Sequence, residues 1–458
     1  MIASVEAGFA WFESFTNLEK QPGGVHREYR LDRMRELLSA FGNPHHATPA
    51  IHVAGSKGKG STCAFIQSVL TAAGFRVGGY YSPHVRSYRE RYRIDPAPDD
   101  RLVLELMRDI EEHVRARMHG RARSGADGDA DGSAGGEKGD GFSGEPTTFE
   151  LLTLLAFLLF RRVGLDWVVL ETGLGGRLDA TNVVLPVASV ITPIELEHTE
   201  YLGTTIAAIA GEKAGIIKPG KPVFISAQRP EAHAVFVEHA VRAGAPLWDF
   251  TDSVLDLSWH EGGCAFCIDG VRFAAPLRLI GRHQAANAAL AAAVVRRLLP
   301  DLPPPVIERG LSDAWIPGRL EQRENGPRFF LDGAHTTDSV RAVADAFAEV
   351  STSPRILLFG VSQGKDPLPM ARVLAPLFET VVVTRAGTFK PADPTTTAAA
   401  FANLNVPCTR LDDPAEAVDH CRFLAGMSGS VLVTGSFYLV GTVASVLDDG
   451  GQPRSAGV

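Results

Sequence analysis

The feature that most constrains this chain is a series of short apolar runs, each ending in Gly, Asp, Glu or Thr and followed by helical patterning. The clearest runs span residues 50–55, 165–173, 188–193, 328–334, 355–361, 379–384 and 430–436. Near-continuous Val, Ile and Leu strands that alternate with helices are typical of parallel sheets covered on both faces. In such sheets ligands bind beyond the carboxyl ends of the strands. We therefore expect an α/β fold, with its chemistry in the residues just after each run.

Two breaks in the pattern suggest domain boundaries. Residues 119–146 are rich in Gly, Asp and Ser, which predicts a disordered insertion. The prolines of residues 298–310 are typical of a stiff linker. The chain has 458 residues, enough for two or three domains. We expect an N-terminal domain over 1–297, a linker over 298–315 and a C-terminal domain over 316–458.

Charge and hydropathy exclude some partners. The net charge of −8 argues against general nucleic-acid binding, which needs a basic face. The most apolar stretch, residues 151–160, is shorter than the roughly 20 residues of a membrane span, so we expect a buried helix. The first residues include Glu6 and Glu13 and lack the basic region of a secretory signal. These observations predict a cytoplasmic protein without a membrane partner.

A glycine-rich segment, HVAGSKGKGSTCAF at 52–65, lies between a predicted strand and a predicted helix. Its glycines are Gly55, Gly58 and Gly60. Such a loop directs backbone N–H groups and a helix N-terminus at an anion, and Lys59 adds a positive charge. The common P-loop motif would need a glycine where Val53 stands. The alternative is a solvated basic turn, which the position directly after an apolar strand disfavours.

Three further residues are candidates for metal or catalytic roles. Glu171 closes an apolar run, where a catalytic carboxylate is expected, although a helix cap or surface charge is the alternative. His198 follows another run; a lone histidine is more often structural, but beside phosphate-binding residues it becomes a candidate Mg²⁺ ligand. Lys213 lies among small residues, and a buried lysine needs a partner or a modification.

Together these segments resemble one family over nearly the whole chain, folylpolyglutamate synthase/dihydrofolate synthase of the Mur ligase superfamily. The matching blocks are GNPHHATPAIHVAGSKGKGST, YYSPHVRSYRERYRI, ETGLGGRLDATN, EHTEYLGTTIAAIAGEKAGIIKPG, GRHQAANAALAA, PGRLE, LDGAH and TGSFYLVG. The resemblance implies the Mur ligase architecture, with an N-terminal P-loop-type domain built on a mostly parallel sheet and a smaller, Rossmann-like C-terminal domain.

The resemblance also implies an ATP-dependent amide ligase. ATP phosphorylates the carboxylate of a folate or of dihydropteroate, and the amine of L-glutamate attacks the acyl phosphate, releasing ADP and phosphate. Positioning and electrostatics carry the rate of such phosphoryl transfer. The implied cofactors are ATP, Mg²⁺ at two sites, and K⁺ as an optional further cation. The implied partners are these small molecules alone, bound by a monomer.

The family's site residues transfer to positions of this chain. The ATP phosphates would be held by Gly58, Lys59, Gly60 and Ser61. The Mg²⁺ ligands would be Ser82, Glu171 and His198, with a carbamylated Lys213 at the second ion. The nucleotide site would be completed by Asn287, Arg319, Asp332 and His335. The pterin end would meet Phe149, Asp179 and Ala180. Lys59, His198, Lys213 and Arg319 are the residues expected to act in catalysis, Arg319 at the γ-phosphate after the two domains close.

Three departures from the family pattern leave the exact pterin and amino-acid substrates open. The usual Thr-Asn is Ser56-Lys57 here, the usual Asp before the metal histidine is Glu197, and the usual Asn-Pro after DGAH is Thr336-Thr337.

Two alternative functions fit the sequence less well. A ligase of UDP-sugar peptides would need a UDP-binding domain before the glycine loop, and only about 50 residues precede it. A P-loop NTPase binding module would not explain the PGRLE and LDGAH blocks.

Overall fold

The computed structural model describes residues 1–17, 31–124, 144–260, 262–323, 326–387, 393–402 and 404–449. The chain divides into two compact units. The first comprises Met1–Lys59, Leu70–Ser82 and Arg91–Asp252, and the second comprises Gly60–Val69, Pro83–Glu90 and Ser253–Val458.

The first unit is built on a seven-stranded sheet. Its strands are β1 (Ala50–Ala54), β2 (Val77–Tyr80), β3 (Tyr92–Arg93), β4 (Trp167–Glu171), β5 (Ala188–Ile191), β6 (Val223–Ile225) and β7 (Leu247–Asp249). The order is β3-β2-β4-β1-β5-β6-β7, and every neighbouring pair is parallel except β2 and β3. The carboxyl ends of β2, β4, β1 and β5 therefore lie side by side at one edge.

Helices connect these strands. They are α1 (Val5–Glu13), α2 (Leu31–Ala40), α3 (Lys59–Ala72), α4 (Asp100–Ser124), α5 (Thr148–Val163), α6 (Thr199–Leu202), α7 (Ile206–Ala214), α8 (Pro230–Ala243) and α9 (Phe250–Ser253), with 3₁₀ turns at Pro44–His46, Tyr88–Arg91 and Ala180–Val183. Residues 119–124 of the predicted insertion belong to α4, and residues 125–143 of it lie outside the described part.

Helix α5 contains the apolar stretch 151–160, which is buried as expected. Thr147 and Glu150 form a capping box at its start, and Gly164 ends it in the left-handed conformation. The Glu150 carboxylate also accepts a hydrogen bond of 2.7 Å from the Arg33 guanidinium. This buried ion pair fixes the first turn of α5, which includes Phe149. No helix within the described residues is long and apolar enough to cross a membrane.

The second unit contains two sheets. The antiparallel sheet has β8 (Val254–His260), β9 (Gly263–Ile268) and β10 (Val271–Pro276), followed by α10 (Arg282–Leu298) and α11 (Pro304–Asp313). The larger sheet has β11 (Glu321–Arg323), β12 (Arg328–Leu331), β13 (Arg355–Phe359), β14 (Thr380–Val383), β15 (Cys408–Arg410) and β16 (Ser430–Thr434). Its helices are α12 (Thr337–Val350), α13 (Leu368–Leu374), α14 (Pro394–Ala399), α15 (Pro414–Ala425) and α16 (Phe437–Asp449), with a 3₁₀ turn at Ala375–Leu377.

The larger sheet has the order β11-β12-β16-β13-β14-β15 and is parallel except for its β11 edge. All seven apolar runs form strands, so the α/β class is confirmed. The antiparallel β8–β10 sheet was not predicted.

Within the expected linker over 298–315, residues Pro304–Asp313 form helix α11. Pro304 occupies the start of α11, where a missing N–H does no harm, and Ile307 and Leu311 bury the inner face of the helix. Their burial makes the segment part of a packed core rather than an extended spacer. The placement of a domain boundary at this segment stays a prediction.

Candidate functional site

The glycine loop follows β1, as predicted, and α3 follows the loop. A Cβ atom on Gly55 would lie 1.8 Å from Thr192 Oγ1, so no other residue fits there without rearrangement. The backbone N–H groups of Ser56 and Lys57 donate to Pro193 O over 2.9 and 3.2 Å. The loop is therefore tied to the segment after β5, and both segments leave the same edge of the sheet.

Lys59 is the first residue of α3 and folds back over the loop. Its ammonium donates to Gly55 O over 2.9 Å and to Ser56 O over 3.3 Å. Gly60 and Ser61 lie in the first turn of α3, where backbone N–H groups have no acceptor within the helix. The loop thus gathers a cation and unpaired amides at one place, which suits an anionic ligand.

Glu197, in the loop after β5, lies among lysines of three segments. Its carboxylate is 3.1 Å from Lys213 Nζ and 3.7 Å from Lys57 Nζ. Burial alone would raise the pKa of Glu197, but the charges of Lys59, Lys213 and Lys57 outweigh it and lower the pKa to about 2. Glu197 is therefore ionised; it pairs with Lys213 and Lys57, and Lys59 adds a third positive charge nearby.

Lys213 lies in the last turn of α7 and is almost fully buried. Besides Glu197, its ammonium donates to Gly55 O over 2.7 Å. Burial lowers the pKa of Lys213 to about 8, although the charge of Glu197 opposes that shift. The buried lysine expected from the sequence thus has two partners, and it loses its proton far more readily than an exposed lysine.

The predicted metal ligands fall into two groups. Glu171 ends β4 beside Val53 of β1, and its Oε2 accepts a hydrogen bond of 3.0 Å from the backbone N–H of Ser82. His198 precedes α6 with a left-handed φ of 48°. Burial lowers the pKa of His198, with the charges of Lys59 and Lys213 acting in the same direction and that of Glu197 opposing it.

The donor chemistry of these residues fits Mg²⁺. A carboxylate and a serine hydroxyl are hard oxygen donors, and Mg²⁺ usually takes few protein ligands and keeps phosphate and water oxygens. Among the residues that the structure describes, no three His, Cys, Asp or Glu side chains are grouped to hold a metal. Glu171 and Ser82 could therefore hold Mg²⁺ only together with ligand or solvent oxygens, and His198 could add its neutral imidazole.

The residues predicted for the pterin end meet around Gly173. A Cβ atom on Gly173 would lie 2.5 Å from Phe149 Cζ, so the ring of Phe149 rests directly on this glycine. The Asp179 carboxylate accepts hydrogen bonds of 2.9 Å from the N–H groups of Gly173 and Leu174. Ala180 begins the adjacent 3₁₀ turn. Phe149, on α5, therefore lies beside the loop that contains Gly173, and Asp179 and Ala180 lie at the end of that loop.

The second unit holds the remaining predicted residues. The Arg319 guanidinium lies over the Phe437 ring, 4.7 Å from its centroid, and the His335 ring lies 6.0 Å from the same ring. Phe437 belongs to the TGSFYLVG block but was not among the predicted site residues. Phe437 orients two of the predicted nucleotide-site residues.

Asp332 and Asn287 are both buried. The Asp332 carboxylate accepts hydrogen bonds of 2.8 Å from the N–H groups of Leu320 and Ala334. Burial raises the pKa of Asp332 to about 6, although the charge of Arg319 lowers it. Asn287 lies in α10 and donates to Gln284 Oε1 over 3.1 Å. Asp332 and Arg319 are therefore electrostatically linked, whereas Asn287 has a separate partner.

Comparisons with known proteins agree on one family. The Mur ligase middle domain matches residues 127–295, and the Mur ligase glutamate ligase domain matches residues 318–437. A dihydrofolate synthase/folylpolyglutamate synthase of Bacillus subtilis is 31% identical over 97% of this chain and 99% of its own. A probable bifunctional folylpolyglutamate synthase/dihydropteroate synthase of Haloferax volcanii is 34% identical over 89% of this chain, which spans 47% of that longer protein.

Solved structures are similar over nearly their whole length. Mycobacterium tuberculosis folylpolyglutamate synthase, complexed with ADP and AMPPCP, has a TM-score of 0.82 and 29% identity and covers 97% of this chain and 99% of its own. Escherichia coli FolC, in complex with DHPP and ADP, has a TM-score of 0.79 and 27% identity over 98% of this chain and 99% of its own.

Proposed function

The chain belongs to the folylpolyglutamate synthase/dihydrofolate synthase family of the Mur ligase superfamily, and we propose on that premise that its ATP phosphates bind at the loop beside Glu197. The activity is ATP-dependent ligation of glutamate to a folate-type carboxylate. The observation that carries the proposed site is the clustering of Lys57 and Lys213 on the Glu197 carboxylate, with the Lys59 ammonium on the carbonyls of the adjoining loop. The excess of positive charge suits the triphosphate of ATP.

The proposed chemistry has two steps. A carboxylate oxygen of the folate or dihydropteroate attacks the γ-phosphorus, and the bond to the ADP oxygen breaks, leaving an acyl phosphate. The amine of L-glutamate then attacks the acyl carbon, loses a proton, and expels phosphate from the tetrahedral intermediate. Lys59 and the amides of the first turn of α3 would balance the charge that accumulates on the phosphoryl oxygens. Mg²⁺, held by Ser82, Glu171 and His198, would supply further positive charge to those oxygens when bound.

Lys213 supports a second proposal, that it carries a carbamate. Its pKa of about 8 makes a neutral amine available near physiological pH. That amine would add to CO₂ and release a proton, forming an N–C bond and an anionic oxygen donor for a second Mg²⁺. The carbamate would replace the Lys213 ammonium 3.1 Å from Glu197, so the positive charge for the phosphates would then come from Lys57, Lys59 and the second Mg²⁺.

The pterin end of the substrate would bind beside Phe149 and Gly173. Phe149 is partly exposed, and its ring can stack with a flat aromatic ring system, while Gly173 lets the Phe149 ring lie directly on the loop backbone. Asp179 and Ala180 would border the pterin.

In the second unit Asn287, Arg319, Asp332 and His335 would complete the nucleotide site, with Arg319 at the γ-phosphate.

The test is phosphate release by the full chain with Mg²⁺, ATP, L-glutamate and either dihydropteroate or tetrahydrofolate. We expect release that requires all components, with a product heavier by one glutamate residue. Turnover with dihydropteroate alone, with tetrahydrofolate alone or with both would assign dihydrofolate synthesis, chain elongation or both. The absence of glutamate-dependent release with either pterin would overturn the proposal.

The proposed function includes two further properties. We expect K⁺ to support turnover and the chain to act as a monomer. Exchange of K⁺ for Na⁺ in the same assay tests the first, and light scattering with and without substrates tests the second.

A further inference from the structure

His52 lies in the middle of β1, the central strand of the first unit, and its side chain is completely buried. The ring is not packed in purely apolar surroundings. Its Nε2 lies 2.8 Å from Thr181 Oγ1, although 129 residues separate the two in sequence. The neighbouring strand residue in register on the β5 side is Ser189. A histidine at such a position buries polar atoms at a cost in stability that an aliphatic residue in the same strand would not have. We therefore expect His52 to have a specific role.

The direction of this hydrogen bond follows from the next partner. The Thr181 hydroxyl donates its single proton to Asp179 Oδ1, and the same oxygen accepts from the Thr181 backbone N–H over 3.0 Å. The hydroxyl oxygen must therefore accept from His52, which makes Nε2 the protonated ring nitrogen. Burial lowers the pKa of His52 to about 3, so the ring is neutral. Its Nδ1 has no hydrogen-bond partner within the described residues.

The chain of hydrogen bonds ends at the loop under Phe149. Asp179 Oδ2 accepts from the N–H groups of both Gly173 and Leu174 over 2.9 Å. Three backbone N–H groups and one hydroxyl therefore point at this carboxylate, which fits the ionised form although burial raises the pKa of Asp179. Both carboxylate oxygens therefore accept hydrogen bonds from the protein itself, and Asp179 holds the backbone of Gly173 and Leu174 in place.

We propose that His52 is a positioning residue for the pterin end: through Thr181 it orients the Asp179 carboxylate, which holds the Gly173–Leu174 backbone against Phe149. This inference rests on the proposed function, because it takes the Phe149 and Gly173 loop as the place where the pterin binds. It assigns to His52 a role in affinity for the folate-type substrate and none in binding ATP.

The unpaired Nδ1 distinguishes this role from a purely structural one. A buried polar atom without a partner destabilises a fold, so removal of the imidazole relieves that penalty while it removes the donor to Thr181. His52→Leu should therefore unfold at the same or a higher temperature and still bind the pterin poorly. His52→Gln keeps an N–H donor at the end of a side chain of similar reach and should restore most of the affinity.

The experiment compares KM values for the pterin and for ATP, with thermal unfolding, in His52→Leu, His52→Gln and Ser189→Ala. Ser189 is the matched control, since it is equally deep in the sheet but donates to Ile216 O over 2.7 Å, which is outside the His52–Thr181–Asp179 chain of hydrogen bonds. We expect the KM for the pterin to rise about tenfold in His52→Leu, with recovery in His52→Gln and no rise in Ser189→Ala. The KM for ATP should not change.

Unchanged pterin KM in folded His52→Leu, or an equal rise in both KM values, would overturn the inference. If His52→Leu does not fold, Thr181→Val removes the same link and should raise the pterin KM alone; unchanged KM there would equally overturn it. The two proposals fail in different ways. Wild-type protein without glutamate-dependent phosphate release contradicts the proposed function, whereas active wild type with unaffected variants contradicts only the role of His52.

Discussion

Lys57 and Glu197 form an ion pair, with 3.7 Å between Lys57 Nζ and Glu197 Oε2. Both are positions where the chain departs from the residues usual in its family, which has Asn at the first and Asp at the second. The two departures are therefore spatially coupled, since an added cation stands opposite a longer carboxylate. Glu197 also contacts Lys213, so the pair belongs to the proposed phosphate site rather than to an isolated patch of surface.

This coupling predicts that the two departures compensate each other. Lys57→Asn should raise the KM for ATP several-fold, because one of three cations is lost and Glu197 faces the phosphates with less compensation. The double variant Lys57→Asn/Glu197→Asp, which restores the family residues, should recover part of the loss. The pair is only partly exposed, so we expect a coupling energy of about 1 kcal/mol from the double-mutant cycle. Additive effects of the two changes would show that the ion pair is incidental.

Lys59 is predicted to be essential for ATP use but not for folding. Lys59→Ala should abolish ATP turnover, while its loss of two hydrogen bonds to loop carbonyls should reduce the free energy of unfolding by about 1 kcal/mol. Phosphate release and denaturant unfolding measure the two effects. Lys221→Ala, a lysine that precedes β6 in the same unit, is the control and should keep full activity. Normal turnover in Lys59→Ala would refute the proposed phosphate site.

Carbamylation of Lys213 predicts dependence on CO₂. Activity should fall after exchange into CO₂-free buffer and return with bicarbonate. Lys213→Ala should be inactive and partly restored by acetate, a small carboxylate that fits the space left by the side chain. The control is Lys57→Asn, whose residual activity acetate should not raise, because its missing group is a cation. Full activity of Lys213→Ala without additive would remove Lys213 from the mechanism.

Seven of the thirteen strands in the two large sheets could be predicted, because their apolar runs are local patterns. The other six strands and the antiparallel β8–β10 sheet were not predicted; the β8–β10 strands lack the apolar run followed by a helix that marks the seven. The prolines of residues 298–310 predicted a stiff linker, but Pro304 starts a helix whose stability comes from burying Ile307 and Leu311, a tertiary effect. The sequence places His52 and Thr181 far apart, so their contact became visible only in the folded sheet.

The burial of His52 also predicts how stability depends on pH. Its pKa is about 3 in the folded protein and near 6.5 in the unfolded chain, so between these values only the unfolded chain takes up the proton. The free energy of unfolding should therefore fall as the pH drops below about 6.5, by up to about 1.4 kcal/mol per pH unit from this residue alone. The nearby charge of Lys218 acts in the same direction.

His52→Gln removes this contribution, because glutamine does not titrate. Urea unfolding of wild type and His52→Gln at pH 7.5, 6.5 and 5.5 measures the difference, which should be constant above pH 6.5 and shift in favour of the variant below it. Ser189→Ala keeps the histidine and should follow the wild-type slope. Parallel curves for wild type and His52→Gln down to pH 5.5 would show that the ring takes up a proton in the folded protein, which contradicts a neutral His52 donating to Thr181.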